Sequence, residues 1–273
     1  MFERRSLPAD LATLRTRYAP EAFVFDVTRD FEILPPDIAE NLAPLVAGFD
    51  PHSYPDEWVP ADAPAALHRL ASSEFTIGAP GDGGIAWTRQ TEPPTVFVKP
   101  RMTGSPDDFV DFLVAEALVE IGLGTPEHFL GFFEDGYLEF ADVVPLDPVG
   151  TYQLAAAVFD AYVGLYSREE FDAWDETHER LFDAWLDAGE RLTPRLEEVP
   201  SAITSGRTAF AAAAEFACSA VKHRTAETED TIQIPPPFAA LDSGAYQAHG
   251  PAFAIRWAEK TFAPIEGDAD DEN

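Results

Sequence analysis

Apolar positions recur at helical spacing through most of the chain, and at strand-like spacing in one stretch. Residues 7–18 read as a helix and 22–27 as an apolar strand. A weaker helix covers 37–49, and 52–64, with three prolines, reads as an irregular loop before a short helix at 65–72. Three short apolar runs follow at 74–79, 85–90 and 95–100, separated by Pro80-Gly81-Asp82-Gly83-Gly84 and Thr91-Glu92-Pro93-Pro94. Breaks of that kind at that spacing predict an antiparallel β-meander.

Helices dominate after Ser105. Ser105-Pro106-Asp107-Asp108 reads as a capped start with acids on the positive end of the dipole, and Gly122 and Gly124 as the stop. The runs 129–133 and 137–144, around Glu134-Asp135-Gly136, are further strand candidates. Asp147-Pro148 starts a helix to Tyr166, and Ser167-Arg168-Glu169-Glu170 reads as a capping box for the next one. Further helices are predicted at 176–198, 207–223 and 245–262, the last broken near Gly250-Pro251. The fold class is α+β, mostly helical, with the meander at about 74–100. The segments 1–73, 74–146 and 147–262 form one compact unit, followed by an acidic tail at 263–273 that is expected to be disordered.

Charge changes the picture most. The chain carries 49 acidic and 18 basic side chains, a net charge of −31. Only Lys99, Lys222 and Lys260 are lysines. A polyanion or an anionic membrane would be repelled, so neither nucleic acid nor membrane is an expected partner. With 46 % apolar residues and 21 phenylalanines the chain can build a core. Cys218 is its single cysteine, so no intrachain disulfide can form. No leader-like apolar run follows the amino-terminal charges, and the expected location is the cytoplasm.

The spread of acidity and the scarcity of lysine resemble the composition of salt-adapted proteins, and the chain as a whole is similar to an uncharacterised haloarchaeal protein family. That resemblance implies no activity.

Candidate chemistry is sparse. The six histidines show no i, i+4 pair, and Asp175 with His178 fits surface capping better than a metal. Cys218 lies one helical turn from Lys222, which would lower the thiol pKa in a thiol enzyme, but its alanine-rich helix suits a buried, inert side chain. The longest-range pattern is a glycine-rich turn with Gly81 and Gly83, a strand ending in Lys99, and a helix whose only charges after Asp111 are Glu116 and Glu120. With Asp242-Ser243-Gly244 downstream, residues 74–166 resemble the small lobe of protein-kinase-like folds. The resemblance implies that Lys99 grips phosphates, Glu116 orients it and Asp242 binds metal. Against it, Phe97 stands where a small residue would underlie adenine, and the catalytic aspartate is missing. The residues therefore favour a binding protein without catalytic machinery, its ligand, partner and cofactor unspecified. A kinase-like phosphotransferase or nucleotide-binding protein is the alternative, and a thiol enzyme built on Cys218 the third reading. A carboxylate at Glu116 in an otherwise apolar helix requires a cation, and Lys99 is the expected partner.

Overall fold

The computed structural model describes residues 1–79 and 83–263. Gly81 and most of the acidic tail lie outside the described residues. The protein is α+β and mostly helical, around a four-stranded sheet. The strands are β1 (Phe2–Arg4), β2 (Phe23–Val27), β4 (Ile85–Thr88) and β6 (Thr95–Val98), in the order β1-β2-β6-β4. The two-residue strands β3 (Gly48–Phe49) and β5 (Thr91–Glu92) form a separate ladder. The helices are α1 (Ala9–Tyr18), α2 (Pro36–Ala39), α3 (Ala65–Ala71), α4 (Asp107–Leu123), α5 (Phe129–Phe133), α6 (Gly136–Val143), α7 (Pro148–Asp172), α8 (Glu179–Thr204), α9 (Phe210–Ser219) and α10 (Gly244–Phe262).

The sheet is mixed, not a meander. β4 and β6 pair antiparallel as expected, but β2 pairs parallel with β6, Phe23 opposite Thr95. Residues 74–79 form no strand; the Leu34 N–H donates to the Ile77 carbonyl instead. The runs 129–133 and 137–144 are helical, not strands. A continuous apolar run buries equally well as a short helix or a strand, so its pattern does not discriminate. Here the Leu130 N–H donates to His128 Nδ1 and starts α5, and Phe129, Leu130, Phe132 and Phe133 are all buried. The capping-box reading at Ser167 also fails: α7 continues to Asp172 with Ser167 fully buried. Ser105 makes no cap hydrogen bond to α4, whereas Gly124, at φ 74°, ends that helix as expected. The break at Gly250 within α10 is present.

β6 is buried on both faces, which explains its unbroken Thr-Val-Phe-Val. Val96 and Val98 pack with α1 and α4, while Phe97 packs with Phe25, Phe31 and Leu34 on the opposite face. α4 is the central helix, lying between the sheet and the layer of α7 and α8. That placement makes it apolar nearly all round, and it brings its two late carboxylates between layers.

Candidate functional site

A cavity of about 410 Å³ opens between β4, α4, α7, α9 and the 3-10 turn Ala220–His223. Its walls carry Glu116, Glu120, Asp160, Lys222 and the indole of Trp87, with Ile85, Phe159 and Val163 among the apolar residues. Glu215 stands at its exposed rim.

Each polar group is held by the fold. Glu116 and Glu120 are one turn apart on α4 and so share a face. The Glu120 backbone carbonyl accepts from Arg89 Nη2 at 3.0 Å, and the same guanidinium takes the carbonyls of Ile121 and Thr125, closing the end of α4. The turn carrying Lys222 fits tightly because α7 has Gly164 beside it; a Cβ there would stand 3.1 Å from the Lys222 backbone nitrogen. The Lys222 carbonyl accepts from Trp185 Nε1 at 3.0 Å.

Lys222 Nζ lies 2.7 Å from Glu116 Oε1. Burial alone would lower the lysine pKa, but Glu116, Asp160 and Glu120 outweigh it and hold the ammonium protonated. Burial pushes the Glu116 carboxyl up, and Lys222 pulls it back. Glu120 accepts from Trp87 Nε1 at 2.7 Å. Burial, followed by the charge of Glu116, raises its carboxyl to about 8. Lys222 pairs with Glu116, and the Glu120 carboxyl beside them holds its proton more tightly than an exposed glutamate does. Beside them, Glu127 is fully engaged, accepting from Thr88 Oγ1, the Arg89 N–H and Gln90 Nε2. His128 lies on the wall with its ring driven down to about 4 by burial, and is neutral.

The kinase-like constellation does not assemble. Glu116 pairs with Lys222, not Lys99, and the strand pleat gives the reason. Alternate residues of β6 face opposite ways, so Lys99 follows Phe97 away from α4. Its Nζ stands 4.7 Å over the Phe31 ring, and it lines a different cavity with Arg5 and Asp26. Phe97 is fully buried in the core cluster with Phe31. Asp242 lines neither cavity; it bridges Arg168 and Arg224 at 2.5 Å each. Gly83 does line the acidic cavity. No motif in the sequence marks Glu120, Asp160 or Trp87 as wall residues, and Lys222 stands out there only as a neighbour of Cys218. The usable signal was the second carboxylate at helical spacing from Glu116.

Cys218 is buried, and burial raises its thiol well above the ordinary range. Lys222 does not activate it, being committed to Glu116. Native protein should react slowly with a thiol reagent at pH 7 and completely once unfolded; rapid native labelling would contradict this burial. Among the described residues, no group of three or more histidine, cysteine or acidic side chains is arranged to hold a metal ion. Nor is any helix among them long and apolar enough to cross a membrane.

Compared with curated proteins and with solved structures, the chain matches none. Residues 1–265 do match a family model described as a family of unknown function, DUF7089. The chain belongs to the DUF7089 family.

Proposed function

We propose that the protein binds a small organic cation, an alkylammonium, in the cavity beside α4, without converting it. The observation that carries this reading is the wall itself: Glu116, Glu120 and Asp160 face a largely apolar space in which the Lys222 ammonium is already held by Glu116. An anionic or nucleotide ligand would meet a repulsive field there. A compact metal ion needs several ligands converging on one point, which the described residues do not offer. An alkyl chain suits Ile85, Phe159 and Val163, and an ammonium suits the carboxylates. Glu215 at the rim offers a second carboxylate, so a diamine is the fitting probe.

Calorimetric titration with 1,4-diaminobutane in 1 M KCl tests the proposal. At that ionic strength the Debye length is about 3 Å, which suppresses diffuse attraction to the −31 surface. The expected result is saturable binding of one diamine per chain, weakened by Asp160→Asn, with 1,4-butanediol giving none. Unsaturable uptake indifferent to Asp160→Asn would contradict it.

The acidic composition supports a second element of the reading: a salt-adapted protein of the haloarchaeal cytoplasm that works apart from nucleic acid and membranes. Its melting temperature should fall as KCl is lowered from molar to millimolar, because unscreened carboxylates repel. An unchanged melting temperature would contradict salt adaptation.

A further inference from the structure

The cavity sets two carboxyls of one helix beside a single ammonium. Glu116 and Glu120 stand on consecutive turns, and the ammonium on their wall is at 2.7 Å from Glu116. Glu120 keeps a single hydrogen bond among the described contacts of its carboxyl, from Trp87 Nε1. Glu215 of α9 lines the same cavity, and the groups that act on Glu120 are Glu116 on α4, Asp160 on α7, Lys222 on the 3-10 turn and Trp87 on β4. Arg89, just beyond β4, also acts on it, while its guanidinium is held by the carbonyls that end α4. Glu127 lies on the same cavity wall but is occupied by its own donors.

Resting on the reading that the cavity takes an alkylammonium, we propose that Glu120 exchanges its proton for the ligand, so that each cation bound releases one proton to solvent. The Glu120 O–H bond breaks, its proton leaves to bulk water, and the carboxylate left behind pairs with the incoming ammonium. The ammonium arrives protonated and stays so; no electrons move. Net charge in the cavity is unchanged by the exchange, which is why a desolvated wall tolerates it. Trp87 acts as a positioning residue, because its N–H favours the ionised carboxylate.

Burial and the charge of Glu116 push this carboxyl up to about 8, and that direction sets the sign of the pH dependence. Below that pH a bound cation must expel a proton, and affinity rises about tenfold per pH unit; above it, affinity levels off. The experiment is calorimetry with 1,4-diaminobutane in 1 M KCl, run in two buffers of different ionisation enthalpy at pH 6.5 and 8.5. At pH 6.5 close to one proton should be released per diamine, and markedly fewer at pH 8.5. Glu120→Gln should release none and bind more weakly, with affinity flat in pH. Trp87→Phe should shift the pH at which affinity levels off upward, and it decides the matter if Glu120→Gln binds nothing or fails to fold. Saturable binding by the wild type without proton release would overturn the exchange and leave the amine-binding reading standing. Proton release that persists in Glu120→Gln would move the exchange to another group and overturn the assignment. No binding by the wild type at either pH would overturn both.

Discussion

Replacing Lys222 with methionine should destabilise the protein by about 3–5 kcal/mol, the usual cost of stranding one member of a buried ion pair. The side chain is 16 % exposed and that of Glu116 9 %, so little solvent is at hand to replace the lost ammonium. Methionine keeps much of the packing along α7, so the effect reads the charge and not a cavity. Removing the stranded carboxylate as well should recover much of the loss, making Lys222→Met with Glu116→Gln milder than Lys222→Met alone. Urea unfolding at pH 7 measures all three variants, with the midpoint falling and the slope preserved. A loss below about 1 kcal/mol for the single variant would mean that Glu116 does not depend on Lys222.

Asp242→Asn should have the second-largest effect, about 2–4 kcal/mol. Asp242 is only 5 % exposed and takes both Arg168 and Arg224 at 2.5 Å. The Arg168 and Arg224 side chains are 24 % and 32 % exposed, which keeps the expectation below that of a fully buried network. Arg168 also donates to the carbonyls of Val221 and Arg224, on either side of Lys222. Loosening it should therefore weaken diamine binding as well as the fold. Thermal unfolding of Asp242→Asn decides this; an unchanged melting temperature would show that the arginines hold the turn without their shared carboxylate.

Much of the helical architecture was legible in the residues. The stop of α4 at Gly124 and the break of α10 at Gly250 are backbone demands that only particular residue types meet. The sheet was legible only locally. β4 and β6 are close in sequence and paired as expected, whereas β2, some seventy residues before β6, carries no sequence mark saying which strand it joins. Phe129–Phe133 looks like a strand because burial on all sides removes the periodicity that separates the two conformations.

The site divides the same way. Glu116 announced itself as a carboxylate needing a cation, but its partner did not. Lys99 is near in sequence, yet the pleat of β6 turns it to the wrong face, whereas Lys222 arrives from more than a hundred residues away. Asp242 resembled a metal ligand because Asp-x-Gly fixes no environment; its two arginines come from α7 and from the loop after the 3-10 turn. The cavity depends on the packing of α4 against α7 and α9, a tertiary fact that no local pattern encodes.

A crystal structure of the protein grown in 1 M KCl with 1,4-diaminobutane tests amine binding beside α4 most directly. An ammonium should lie within about 3 Å of the Glu120 carboxylate and beside Asp160, with the alkyl chain running along Phe159 and Val163 toward Glu215. Diamine found only on the outer acidic surface, with the cavity beside Glu120 holding none, would contradict it.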